Sequence, residues 1–595
     1  MLHPSDSINA RVHWLLDLEY AGQTLRLSDA EIDVVTEDGV SIHYAGVLEG
    51  IDLDTGLDFL SDASSSPTSA AIDAVLPVDV PLLVAQGHDL AGSIGTLSRW
   101  VEGEEWEERH VLIWGAVSDP EYGAADEPVS FSLELTPWDD SQLIPAPGLE
   151  VIGANWDVAM ITSLPSAGLG LAYPVVIGNP GRVSAEVWSS GLITGSQAVW
   201  IDQRKTLHSS GGHFREVTPI LAGHHVGVES VYLKTDTATT PLRYRVSNTH
   251  DRNGHPVAVA TWWHTVSPAS TDVYEYDGSA SYTWNQPTST VVGCIGHVAA
   301  PASIQPASNT VPDGTYVTWV DDDDSTRGGL VGTDGKAMRA AGDVLEWLLR
   351  QSGIPVDHGR FAVAKPLLSR FLLDFTIDEG VTPWEFASSN ILGILPVSIV
   401  SGPEGVAPIV WRYTATSTDA VCHLDTGSDP YIQRASRVTY DRSNIRNDLT
   451  LGYAYSVRIG SFLGSLRYSA TDEDGATPSY PCLLSQRRYR RPDGTPLVVP
   501  HSLDSIVIYD DSTAHAVLQW MARAYAFARR RVEYLLPESR YGWLSRGDVV
   551  TISDPEIHLD SQVTLVEGIR IDGTPMMRVT LLLVEEPVRD ARPLS

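Results

Sequence analysis

Gly168 to Val183 reads GLGLAYPVVIGNPGRV, and a nucleotide loop competes there with a plain strand and turn. A dinucleotide loop needs a third glycine after G-x-G, opening a helix whose amides meet the pyrophosphate. Tyr173 occupies that third position, and Pro174-Val175-Val176 reads as strand. A phosphate loop would need Gly-Lys-Ser/Thr, and the nearest lysine is Lys205. The stretch therefore predicts strand, turn, strand, with its glycines and Pro180 serving the turn.

The same texture fills much of the 595-residue chain, which is long enough for about three to five domains. An apolar content of 43% suits folded domains rather than long disorder. No run approaches the roughly 20 apolar residues of a membrane span, and MLHPSDSINARVHW lacks the pattern of a signal peptide. Synthesis in a cytoplasm is the expectation. Net charge is −36, which argues against general binding to nucleic acid, because that relies on Lys and Arg neutralising phosphates. Lysines stand only at Lys205, Lys234, Lys336 and Lys365, so arginine supplies nearly all the basic charge.

Residues 1–148 read as a first β-rich segment. Ala10–Gly22 and Gln23–Asp29 predict two strands around a Gly turn, and Asp38-Gly39 predicts a hairpin. Ser61–Ala71, SDASSSPTSAA, has loop composition. Residues 149–335 read as a second β-rich segment, which holds the opening stretch. Residues 336–424 predict a small α+β segment, with Val344, Leu345, Leu348 and Leu349 on one helical face and Gly353 as its stop. Residues 425–595 predict strands around a long helix over 512–531. Asp511 or Ser512 would cap it, and Val517, Trp520, Met521, Ala524, Phe527 and Ala528 form its stripe. No 20- to 50-residue repeat is present. The fold class is mainly β and multidomain.

No stretch carries a complete catalytic pattern. Asp321 to Asp324 could gather Ca²⁺, but an unbroken run lacks the alternate spacing of a calcium loop. EGEEWEERH, Glu102 to His110, offers carboxylates for acid and base work on a glycan, Glu105 among them. Adjacent glutamates on an alternating strand equally read as an exposed face. His208, His213, His224, His225, His250, His255 and His264 cluster in one segment without the spacing of metal ligands. Cys294, Cys422 and Cys482 form no C-x-x-C pair, and His423 beside Cys422 has no second ligand pair. No G-x-S-x-G elbow occurs. In QRRYRRPDGT, Arg487, Arg488, Arg490 and Arg491 surround Tyr489. They could grip phosphate or an acidic neighbouring subunit, or they decorate a solvated hairpin tip turning at Pro492-Asp493-Gly494. No catalytic, cofactor-binding or metal-binding residue is assigned, no cofactor is expected, and the chain is expected not to be an enzyme.

The order of segments resembles the tail-tip or baseplate hub proteins of long-tailed, siphovirus-type bacteriophages. The likeness rests on Tyr173–Val183, Pro219–Leu233, Gly342–Asp357 with Asp378–Leu395, and Ala528–Ile557, where Gly547-Asp548-Val549-Val550 turns into a barrel strand. Leu25–Leu48 also has the look of tail-tip β-domains. The resemblance implies tail-tube-like β-barrel or sandwich domains, two per subunit, in a homotrimer that makes a pseudo-sixfold ring, with residues 149–335 as an inserted domain whose sheet begins within Gly168–Val183. That ring would join the tail tube to a threefold tip around the DNA exit path, in a virion assembled from proteins made in the bacterial host cytoplasm. Implied partners are further copies, distal tail and tail-tube proteins, the tape-measure protein, and tip or fibre proteins, with no sequence-specific nucleic-acid binding. No fibre extension, peptidase or lysozyme module is evident. The competing reading is a carbohydrate-binding or glycan-cleaving tail protein.

Overall fold

The protein is described by a computed structural model over residues 11–54, 69–124, 127–134, 142–144, 175–178, 338–353, 355–377, 380–402, 405–456, 460–571 and 575–584. For short strands between residues 196 and 319 only the backbone is described. The fold is mainly β, with few helices.

Its centre is one mixed sheet of 16 strands shared by both ends of the chain. The N-terminal body begins with Val12–Tyr20 against Gln23–Ser28. Ala21 and Gly22 both take positive φ, 50° and 77°, the two-residue turn that matches strand twist. Trp14, Leu16, Leu18 and Tyr20 face the main core, while Leu15 packs with Val34 and Tyr44 on the other side. The Asp-Gly hairpin forms as expected, pairing Ile32–Val35 with Ser41–Gly46. Ser69-Ala70-Ala71, expected as loop, lies within the Ser69–Ala74 strand instead. Strands flank it on both sides, so small residues suffice where the backbone pairs twice.

The C-terminal body contributes Arg529–Pro537, Val549–Asp554, Leu559–Ile571 and Met576–Leu583. It meets the N-terminal body edge to edge, through Arg570 opposite Asp54 and Ile571 opposite Leu53. The Arg570 guanidinium holds Asp52 at 2.7 and 3.2 Å across that seam. A second clamp joins residues 439 positions apart, with Arg99 Nη1 donating to the Glu538 carbonyl at 2.8 Å. Ile72, Leu97 and Phe131 share one core with Tyr534, Met577 and Val579.

The other face of the C-terminal strands belongs to a second core. Val549, Val563, Leu565 and Leu582 pack there with helices Ala341–Gln351 and Asp511–Tyr525. Val344, Leu345, Leu348 and Leu349 are all fully buried, and Gly353 at φ 73° ends their helix. Helix His358–Leu368, capped by Asp357, carries no strong apolar stripe and was not anticipated. The long C-terminal helix is shorter than the expected 512–531. It spans Asp511–Tyr525 and is capped by Asp510, whose carboxylate accepts from Ser512 N at 2.8 Å. Arg529, Arg530 and Arg531 leave it because they are the start of a strand, paired with Thr439–Asp441.

Val175–Ile177 pairs with Phe375–Ile377, not with the strands that follow it in sequence. The expectation that it opens the sheet of the inserted segment is corrected here: it belongs to the helical module. Gly178, at φ 61°, sits against Asp374 and Arg339, where a Cβ would lie 2.9 Å from the Leu373 carbonyl. Gly178 and Arg339 are therefore adjacent in space. Arg339 grips the fully buried Asp374 there through both carboxylate oxygens, at 2.7 and 2.9 Å.

Candidate functional site

The acidic stretch Glu102 to His110 folds as a turn between strands Ile94–Val101 and His110–Glu121. Trp106–Glu108 makes a short 3₁₀ turn with a capping box between Glu105 and Glu108. The Arg109 guanidinium stacks 3.4 Å from the Trp106 ring centroid. Glu102, Glu105, Glu107 and Glu108 are all exposed. A glycosidase acid is raised by burial, and these four lack it.

His110 behaves differently. Burial, then Arg99 opposite it in the sheet, then Arg360, push its imidazole down to about 4. An unfolded histidine titrates near 6.5, so between the two values the unfolded chain binds a proton that the folded chain refuses. This contribution is present above about pH 6.5 and is lost as pH falls toward 4, up to about 3 kcal/mol. His110→Gln is expected to flatten that acid limb in denaturant melts between pH 7 and pH 4.

The basic stretch is resolved into two elements. Arg487 and Arg488 end helix Tyr480–Arg488, so the tip begins only at Tyr489. The reversal follows at Arg491–Thr495, with Gly494 at φ 83° and Arg490 Nη1 bound to the Gly494 carbonyl at 2.8 Å. Tyr489 is buried. Its hydroxyl accepts from Ala528 N at 3.0 Å and lies 3.0 Å from the Tyr440 hydroxyl. The guanidinium groups of Arg442 and Arg488 lie 5.3 and 5.7 Å from its ring centroid.

Cys422 and Cys482 are free thiols, each pushed up to about 11 chiefly by burial, which removes nucleophilic character at neutral pH. His423 Nδ1 lies 2.9 Å from Thr551 Oγ1 across paired strands, a structural contact. Cys294, Asp321 to Asp324, Gly168 and Gly170 lie outside the described residues, as do the side chains of His208, His213, His224, His225, His250, His255 and His264. Among the described residues no cluster of three metal-ligating side chains occurs, and no helix is long and apolar enough to cross a membrane.

One buried charge cluster escaped the sequence reading. Glu567 is the extra residue of a bulge between Val566 and Gly568, and the bulge turns its side chain inward. It accepts from Arg531 Nε at 2.5 Å and Nη2 at 2.8 Å, with Arg529 Nη1 3.7 Å away. Arg529 also donates to the Tyr413 hydroxyl at 3.0 Å. This arrangement joins the C-terminal strands to the helical module, beside a cavity lined by Tyr413, Arg523, Phe527, Arg529 and Leu582.

No family model matches the chain, and no curated protein matches it. Among solved structures it is similar to the tail protein from Neisseria meningitidis MC58, over 97% of each chain, with 10% identity and a TM-score of 0.33. At that score the likeness bears on neither fold nor function.

Proposed function

We infer that the protein is a structural component of a phage tail, the central hub of a tail tip or baseplate. Copies close into a trimeric ring that joins the tail tube to the threefold tip around the DNA exit path. One observation carries this reading: two β-bodies, one from each end of the chain, lie edge to edge in a single sheet. A subunit that presents two such bodies side by side lets three copies offer six, which is how a threefold ring meets a sixfold tube. The segment order that resembles tail-tip hubs points the same way. So does the acidic surface, since nucleic acid does not adhere to a wall of its own sign.

The hub has no catalytic task in this reading, and its partners are the tube, tape-measure and tip proteins. Negative-stain images of the purified chain test it. Rings with a central hole are the expected particle, and compact single particles without a hole would refute the reading. A glycan-hydrolase screen of wild type beside Glu105→Gln separates the carbohydrate reading, which requires activity that the substitution removes.

A further inference from the structure

The two charged stretches that no chemistry absorbed have a common feature. Many of the described arginines are matched to carboxylates, as Arg339, Arg434, Arg467, Arg531, Arg540 and Arg570 are. Arg442, Arg487, Arg490 and Arg491 are exposed and form no ion pair among the described residues. Arg442 and Arg488 flank one buried ring, Tyr489, and Arg487, Arg490 and Arg491 adjoin it in sequence. In a chain of net charge −36, this concentration of arginine over residues 487–491, with Arg442 beside it, is a local reversal of sign.

The patch is also held rigid. Leu497 N donates to the Tyr489 carbonyl at 2.9 Å, and Arg491 N to the Thr495 carbonyl at 2.9 Å. Beneath it, the fully buried Asn447 donates to Ser485 Oγ at 2.9 Å and to the Leu497 carbonyl at 2.8 Å, and accepts from Val499 N at 2.8 Å. Tyr440, 45% exposed, adds an aromatic surface beside the arginines. Fixed arginine forks next to tyrosine are the composition of a protein interface core.

A complementary surface lies on the N-terminal body. Glu37 and Asp38, at the tip of the Asp-Gly hairpin, are drawn to the acidic turn by Glu37 N donating to Glu107 Oε1 at 3.0 Å. Glu37, Asp38, Glu102, Glu105 and Glu107 are exposed and form no ion pair among the described residues. Two different patches of opposite sign on one chain are what a head-to-tail contact uses, and head-to-tail contacts close into rings.

We propose that the arginine patch around Tyr489 is the docking surface for the acidic turn, Glu37 to Asp38 with Glu102 to Glu107, of a second copy of this chain. The proposal rests on the ring reading above and names the contact that closes it. A nucleic-acid backbone is the other polyanion that could meet five arginines. The chain favours its own acidic turn, because a net charge of −36 opposes binding to nucleic acid, and Glu37, Asp38, Glu102, Glu105 and Glu107 have no ion pair among the described residues.

The test measures assembly by sedimentation equilibrium near about 0.15 M salt, where long-range fields are screened within roughly 8 Å. Arg487→Glu with Arg491→Glu, and separately Glu37→Arg with Glu102→Arg, are each expected to weaken assembly at least about tenfold. All four changes in one chain exchange the signs and are expected to restore most of that loss. These side chains are exposed, so circular dichroism is expected to match wild type. Wild-type assembly by the Arg487→Glu, Arg491→Glu variant overturns the proposal while leaving the ring intact. Weakened pairs without recovery in the fourfold variant overturn the choice of partner. A wild-type chain that never assembles removes both the ring reading and this contact. A fluorescent DNA duplex bound by wild type, and released in the arginine variant with assembly unchanged, assigns the patch to nucleic acid instead.

Discussion

Glu567→Ala is expected to cost the folded chain about 3–5 kcal/mol, the range for removing one partner of a buried ion pair. Glu567 and Arg529 are each 4% exposed, so the arginine cannot recover hydration when the carboxylate is cut away. Arg531 loses a two-pronged contact at 2.5 and 2.8 Å at the same moment. Glu567→Gln keeps the shape and one acceptor oxygen and is expected to cost less. Urea unfolding followed by circular dichroism measures both. A loss under about 1 kcal/mol for the alanine variant would mean that water already reaches the cluster, and the burial described above would be wrong.

The second large effect is at Trp520. Its indole is 2% exposed, stacks 6.4 Å from Tyr413, lies tilted 5.8 Å from Tyr525, and donates to the Ile394 carbonyl at 2.8 Å. Trp520→Ala removes that volume from the core between the helical module and the C-terminal helix, at about 3–5 kcal/mol. It also strips the Ile394 carbonyl of its donor, which adds to the cavity cost. Trp520→Phe keeps most of the packing and loses the hydrogen bond, so the gap between the two variants separates the contributions. Limited proteolysis is expected to open the Pro383–Leu395 region first in the alanine variant. Equal resistance in both variants and wild type would contradict the shared core.

Much of this architecture was legible in the sequence because it follows local periodicity. The Asp38-Gly39 hairpin, the stripe Val344, Leu345, Leu348, Leu349, and the stop at Gly353 are short-range patterns, and each is where the pattern places it. The misread elements depend on contacts between distant residues. Helix 512–531 looks continuous because arginines favour helices, yet Arg529 to Arg531 are recruited into a strand by Thr439–Asp441 and held by Glu567. Val175–Ile177 carries a strand pattern, but its partner at Phe375–Ile377 lies about two hundred residues away. The edge-to-edge seam at Asp54 and Arg570 has no local signal at all. Charge followed the same division. The stretches around Glu105 and Tyr489 were visible as runs, whereas the contact that draws Glu37 to Glu107 and the burial of Tyr489 are properties of the fold.

The central claim is that three copies make one ring, and molar mass in solution tests it most directly. Light scattering coupled to size exclusion is expected to give three times 64.6 kDa, held constant as concentration falls through the micromolar range. A peak that remains at 64.6 kDa at every concentration would contradict the account.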